Sequence, residues 1–184
     1  MQHLTFKRLL PTASQPELVA FHQIFEFTYI ETFHSYYTPE DLAAYCAERL
    51  SFATFTAELA QPNAYFYGFW QGDVLVGYAK WMVPCTQYLT DDLIQRYTKP
   101  FLLDRFYLTK AVQGSGLADV AMQFVMSHAE KVHGADFAYL DVWDGNLKAQ
   151  RFYQKFGFRT LTTVAYHVGN TKDRDYIYGK VLTP

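Results

Sequence analysis

Cysteine is scarce in this sequence: Cys46 and Cys85 are the only two in 184 residues, with no Cys-x-x-Cys spacing and no histidines clustered beside them. That argues against a disulfide framework and against a metal site of any kind, and it points to reduced thiols in a cytoplasmic protein. Long apolar runs are missing too. No stretch approaches the roughly 18 uncharged apolar residues that span a bilayer. The opening Met1-Gln2-His3-Leu4-Thr5-Phe6-Lys7-Arg8 lacks the apolar centre of a signal peptide. Nor does charge of one sign accumulate: 16 Lys and Arg against 18 Asp and Glu leave a net charge of -2. Such a balance argues against nucleic acid or an anionic membrane as partner. What is plentiful is apolar surface, 50% of residues with 18% aromatic. This suffices for one sizeable core and excludes disordered, collagen-like and coiled-coil chains. No linker, repeat or low-complexity segment divides 1–184, which reads as a single domain.

The chain begins with alternation over Leu4 to Leu10, a strand that stops at Pro11. From about Pro16 to Phe33, Leu18, Phe21, His22, Phe25 and Tyr29 share one helical stripe. Thr38-Pro39-Glu40-Asp41 is a helix start: Thr38 caps, Pro39 suits the first turn, and the Asp41 carboxylate can answer the cap. A shorter helix follows over Thr54 to Ala60. Ala64–Trp70 and Val74–Val83 flank Gln71-Gly72-Asp73 and read as a hairpin. Tyr88 to Thr98 shows no clear form. Strand 101–109, helix 116–133 ending at Gly134, and strand 137–142 follow; a helix then runs from Asn146 to Phe156 and stops at Gly157. Phe158–Val168 and Asp175–Leu182 read as closing strands.

Strand, helix and strand over 101–142 are spaced for a βαβ crossover, so these two strands are expected to be parallel while hairpins make the rest antiparallel. The fold expected is α/β (α+β), a mixed and mostly antiparallel sheet with a central parallel βαβ unit flanked by helices. Ligands favour the carboxyl ends of such parallel strands. Two segments lie at that end.

The first is Gln113-Gly114-Ser115-Gly116-Leu117-Ala118, between strand and helix. A helix start offers unpaired N–H groups and partial positive charge, and glycine lets an anion approach the backbone. A plain flexible helix start is the competing reading. No Gly-Lys-Ser/Thr ending is present, so this is not a P-loop, and Asp119 stands where a dinucleotide loop needs glycine or alanine. The second is Asn146 to Phe158, in which Asn146, Ala149 and Tyr153 share one helix face about 10 Å long. A small residue between an amide and a phenol leaves a groove, although Tyr153 alone also suits a core position with its hydroxyl at the rim.

Together these segments, Gln113-x-x-Gly116-x-Ala118 and Asn146-x-x-Ala149-x-x-Phe152-Tyr153-x-x-x-Gly157-Phe158, resemble the GNAT (Gcn5-related) N-acetyltransferase superfamily. Asp104-Arg105-Phe106-Tyr107-Leu108, Trp143, Glu31-Thr32-Phe33 and Thr38-Pro39-Glu40-Asp41-Leu42 are similar to its PaiA-like spermidine/spermine acetyltransferase branch, over about Arg8 to Leu182.

The resemblance implies an enzyme that moves acetyl from acetyl-CoA, its co-substrate, to a primary amine, with a polyamine as one candidate, and that needs no metal. It implies that the amides of Gln113, Gly114, Ser115, Gly116, Leu117 and Ala118 hold the CoA pyrophosphate, that Asn146 contacts the CoA arm, and that the backbone of Phe106, Tyr107 and Leu108 meets the arm and the thioester. It makes Tyr153 the acid for the departing sulfur, since a phenol is protonated at neutral pH. Lys155 is a candidate for a CoA phosphate, with an exposed helix-end lysine as the alternative. Asp104 is the candidate base, with an ion pair to Arg105 as the alternative. Glu31, Asp141 and Trp143 are candidates for binding the amine. A protein N-terminus or another small amine is an alternative acceptor, and a non-catalytic acyl-CoA-binding module is the alternative from outside enzymes. Exposed sheet edges leave room for a homodimer.

Overall fold

The computed structural model describes residues 3–168 and 171–182. β1 (Thr5–Leu9) leads into α1 (Gln15–Phe33), which starts at a capping box: the Ser14 N–H donates to Glu17 Oε2 at 3.1 Å and the Ser14 hydroxyl to the same oxygen at 2.8 Å. Its inner stripe buries Phe21, Phe25, Tyr29 and Phe33. α2 (Pro39–Arg49) is capped by Thr38 Oγ1, which accepts from the Asp41 N–H at 3.1 Å. The Asp41 carboxylate accepts from Thr171 Oγ1 at 2.9 Å, tying α2 to the last strand. α3 (Phe52–Leu59) begins two residues earlier than the sequence pattern indicates, because Ser51 is its cap and accepts from the Thr54 N–H at 3.2 Å.

β2 (Ala64–Gln71) and β3 (Val74–Met82) form the expected hairpin. The segment left without form contains α4 (Asp91–Arg96), whose first turn carries Asp91 and Asp92 behind Thr90. β4 (Pro100–Leu108) and a single turn over Lys110–Val112 lead to α5 (Leu117–Ser127), extended by one π turn over His128–Val132. β5 (Phe137–Trp143), α6 (Leu147–Lys155), β6 (Arg159–Val168) and β7 (Thr171–Val181) complete the chain. β7 starts before the expected Asp175, because the polar run Lys172-Asp173-Arg174 pairs with β6 although it lacks apolar alternation.

These strands make one seven-stranded sheet in the order β1-β2-β3-β4-β5-β7-β6. The β4–β5 pair is parallel and the other neighbours are antiparallel. On one face α5 sets Leu117, Ala121 and Val125 against Phe69, Trp81, Phe101 and Leu140. On the other, α1, α2 and α3 cover Phe66 and Tyr78 with Phe21, Phe25, Phe55 and Leu59. Among the described residues no helix is long and apolar enough to cross a membrane.

One irregularity positions everything that follows. β4 and β5 pair only at Pro100–Phe137, Phe101–Ala138 and Leu102–Tyr139, and then diverge. Against β3, Lys80 faces Arg105 and Trp81 faces Leu103, so Asp104 is the extra residue of a β-bulge. Bulges bend their strand. Beyond this one, β4 follows β3 and leaves β5. Gly77 lets the two strands close up again, since a Cβ there would run into the Tyr107 carbonyl oxygen.

Candidate active site

The diverging strands open a continuous cleft of about 730 Å³, from Gly114 and Ala118 at the glycine loop, past Phe106 and Tyr153, to Tyr45 and Tyr88 below α1 and α2. Past Leu102 the β5-facing edge of β4 has no strand partner among the described residues, so main-chain groups there are open to the cleft.

The loop end is built by backbone conformation. Gly114 and Gly116 have φ of 78° and 83°, values that glycine adopts without strain. No atom lies within 4 Å of where a Cβ would stand on either one, so the space before the loop is clear. The loop is stapled from both sides. Gln113 Nε2 donates to the Leu108 carbonyl at 3.1 Å, its Oε1 accepts from Lys148 Nζ, and the Ser115 hydroxyl donates to the Val112 carbonyl. Gln113, Gly114 and Ala118 line the cleft; Ser115 and Gly116 sit behind them in the loop, and the Leu117 side chain is core at 2% exposure. Lys110 and Lys148 also line the cleft here, and sequence reasoning missed both because neither belongs to a recognisable motif. Lys155, the lysine that was expected, is engaged elsewhere: its Nζ lies 2.7 Å from Asp119 Oδ2, and it does not line the cleft. The Gln113 N–H donates to the Lys110 carbonyl at 3.2 Å and the Leu117 N–H to Ser115 Oγ at 3.5 Å, while the N–H groups of Gly114, Ser115, Gly116 and Ala118 have no acceptor among the described residues. These open amides flanked by two lysines, with an unpaired strand edge beyond, fit a ligand with an anionic end and an amide-bearing arm.

At mid-cleft stands Tyr153. Its ring packs on Phe158 at 6.2 Å, and its hydroxyl makes no hydrogen bond among the described residues. Burial, helped by the charge of Asp141, pushes the phenol upward, so it holds its proton at neutral pH. Asn146 caps α6, its Oδ1 accepting from the Ala149 N–H at 3.1 Å, and the residue lines the cleft. Phe106, Tyr107 and Leu108 line the wall opposite.

The end of the cleft below α1 and α2 is aromatic. Trp143 lies against Phe33, Tyr36 and Tyr37 at 6.0, 4.7 and 6.1 Å between ring centres. The acids are sorted differently from the sequence expectation. Asp104 sits in a four-membered ionic cluster: Lys80 Nζ is 2.7 Å from Asp104 Oδ2 and 2.9 Å from Glu58 Oε2, and Arg105 also grips Glu58. Burial opposes its charge, but Arg105 and Lys80 outweigh burial and hold the carboxyl below its ordinary range. A carboxylate so held is a weaker base than a free one, and the ion pair that stood as the alternative for Asp104 is present. Glu31 is engaged as well. Its Oε2 accepts from the Lys110 N–H at 2.7 Å, fixing the turn after β4, and the residue does not line the cleft.

Asp141 stays on the cleft wall. Burial, then the charges of Asp104 and Asp175, push it up to about 7. Asp175, which sequence reasoning missed because it opened a strand with no motif around it, lies beside Asp141; burial, Asp173 and Asp144 push it to about 6. Among the described residues no group of His, Cys, Asp and Glu is arranged to hold a metal ion.

Comparison with known proteins bears on this geometry. The pattern of the acetyltransferase (GNAT) family matches residues 18–158. An uncharacterised N-acetyltransferase of Lactobacillus delbrueckii subsp. lactis is 25% identical over 171 residues, 92% of this chain and 94% of its own. An uncharacterised N-acetyltransferase of Mycobacterium tuberculosis strain H37Rv is 30% identical over 148 residues, covering 78% of this chain and 84% of its own. A shorter likeness, 33% over 57 residues and 31% of this chain (38% of the relative), is to the spermine/spermidine N(1)-acetyltransferase of Bacillus subtilis. Among solved structures, the PaiA N-acetyltransferase of Thermoplasma acidophilum, crystallised with coenzyme A, superposes with a TM-score of 0.72 at 16% identity over 98% of this chain and 99% of its own.

Proposed function

Because the chain belongs to the acetyltransferase (GNAT) family, we propose that it transfers the acetyl group of acetyl-CoA to a small primary amine held in the aromatic half of the cleft. The observation that supports this best is the free Tyr153 hydroxyl, standing in the gap between β4 and β5 with the anion-seeking loop on one side and the acidic wall on the other.

Acetyl-CoA supplies an activated acyl carbon. The chain supplies the rest. The amides of Gly114, Ser115, Gly116 and Ala118, with Lys110 and Lys148, hold the pyrophosphate, and Asn146 with the open edge of β4 aligns the arm. A main-chain N–H among Phe106, Tyr107 and Leu108 polarises the carbonyl, and Tyr153 gives its proton to the leaving sulfur.

The acceptor is a primary amine that approaches past Trp143. A polyamine is the member of this class that the Bacillus subtilis likeness favours, and Asp141 and Asp175 beside Tyr36, Tyr37 and Trp143 suit an ammonium on a methylene chain. A second reading, a monoamine with an aromatic or apolar body, is favoured by one observation: Glu31 and Asp104 are occupied, so the cleft has fewer open carboxylates than a polycation calls for. The unpaired thiols of Cys46 and Cys85 accord with a cytoplasmic setting, and the outer edge of β6 offers a surface for a homodimer.

Thiol release from acetyl-CoA tests the proposal against spermidine, spermine, lysine, an aminoglycoside and short peptides. Release with one class identifies the acceptor. Bound acetyl-CoA with no release from any amine would favour a binding module. In Tyr153→Phe, acetyl-CoA binding is expected to survive while turnover falls about 10- to 10³-fold; unchanged turnover removes Tyr153 from the acid role.

A further inference from the structure

We propose that Asp141 and Asp175 form a carboxylate pair that shares one proton and takes the proton from the acceptor's ammonium group. This rests on the transferase reading above.

The geometry comes from two neighbouring strands. Asp141 on β5 stands opposite Ile177, and Asp175 on β7 stands opposite Trp143. The two are therefore diagonal neighbours on one sheet face, close enough for the charge of Asp175 to act on Asp141. Both line the cleft. Asp175 is 5% exposed and its Oδ1 has no hydrogen-bond partner. Among the described residues no cation forms an ion pair with either carboxyl. Lys80 and Arg105 are committed to Glu58 and Asp104, and Arg174 to Asp144.

Two carboxyls so placed do not both ionise freely, and one proton stays between them until the pH approaches neutrality. The surroundings reinforce this. Asp141 meets Asp104 and Arg105 from β4, Tyr153 from α6, Tyr88 from the loop after β3, and Tyr139 from its own strand. Asp175 meets Asp173 from its own strand, Asp144 from the turn after β5, and Tyr37 from the turn after α1. Among these residues Arg105 is the cation that acts on Asp141, and Asp104 and Glu58 already answer it. A pair that ionises near pH 7 is matched to a base working at neutral pH, whereas Asp104 is the weaker base.

The step balances simply. The ammonium gives one proton to the ionised Asp141 carboxylate, and the lone pair this frees forms the C–N bond. The C–S bond breaks with its electrons on sulfur, which takes the Tyr153 proton. The nitrogen's second proton restores the phenol through solvent.

Asp141→Asn and Asp175→Asn test the pair with two acceptors: a basic alkylamine that the wild type acetylates, and its β,β,β-trifluorinated analogue, whose amine is largely neutral at the assay pH. For the basic amine, wild-type kcat/KM should rise with pH through an inflection near neutrality. Asp141→Asn should lose that limb and about 10²-fold in rate on the basic amine, and lose at least about tenfold less than that on the fluorinated amine. Asp175→Asn should stay active with its inflection about one pH unit lower. A second measurement does not depend on turnover: the infrared band of protonated carboxyls, lost between about pH 5 and 8 in wild type, should be reduced by one group in Asp141→Asn, where Asp175 is left to titrate alone. Equal losses on both amines, or an unmoved inflection in Asp175→Asn, overturn the pair while the transferase reading stands. A wild type that releases no thiol with any amine, the band intact, overturns the transferase reading, and the base assignment falls with it.

Discussion

Lys80 shows what a single residue can hold in place. It is 4% exposed, and its ammonium lies between Asp104 from the bulge of β4 and Glu58 from α3, with Arg105 closing the group. Removing one partner from such a cluster strands a buried charge, which costs about 3–5 kcal/mol. Lys80→Met should therefore lower stability by about that much in denaturant unfolding, and Glu58→Gln in the same background should recover part of the loss. At this scale the sequence was half legible. Tyr153, Asn146, Gln113 and Gly114 could be placed because each sits in a local pattern whose spacing fixes its neighbours. Asp104 could be nominated with its ion pair to Arg105 as the alternative, but its pairing with Lys80 and the engagement of Glu31 could not be read. Their partners come from residues 80, 58 and 110, and only tertiary packing brings these together. Lys148, Lys110 and Asp175 carried no signal, being ordinary polar residues until the fold turns them into one cleft.

Among the elements, the loop and helix between β4 and β5 are the most informative. The strand–glycine–helix–strand order was legible because periodicity changes from strand to helix and back within about 40 residues. α4 was not legible, since six residues give too little periodicity to detect. The early start of β7 was hidden because its first residues are polar on both faces. Gly116 sits at φ 83° as the residue before α5. A β-branched side chain there costs about 1–2 kcal/mol of strain or forces the loop to rearrange. Gly116→Val should weaken coenzyme A binding by about tenfold or more in calorimetry, with little change in far-ultraviolet dichroism. Undiminished affinity would separate the loop from the phosphate-binding role.

For the molecule as a whole, charge sets a pH optimum of stability. Asp141 and Asp175 are raised in the fold, so the folded chain keeps protons that an unfolded chain releases near pH 4, and stability falls as pH climbs from about 4 toward 7. Asp104 and Asp136 are lowered: burial opposes this, but Arg105 and Lys80 prevail at Asp104, and the N–H groups of Thr98 and Lys99 prevail at Asp136. Their contribution is present above about pH 4 and is lost below it. Tm should therefore peak in mildly acidic buffer and decline toward pH 8. Asp141→Asn should flatten the decline and melt about 2–4 °C above wild type at pH 8. A parallel curve for the variant would show that the raised carboxyl is not what tilts the profile. The gap between β4 and β5 has a consequence of another kind. Along the open side of β4 the groups on offer are peptide N–H and C=O, which every residue but proline possesses. A ligand read by peptide groups is indifferent to the letters of the strand, so recognition of this kind survives any substitution that the packing of the strand tolerates. The same architecture can then persist in a Thermoplasma protein with which this chain shares only 16% of its residues.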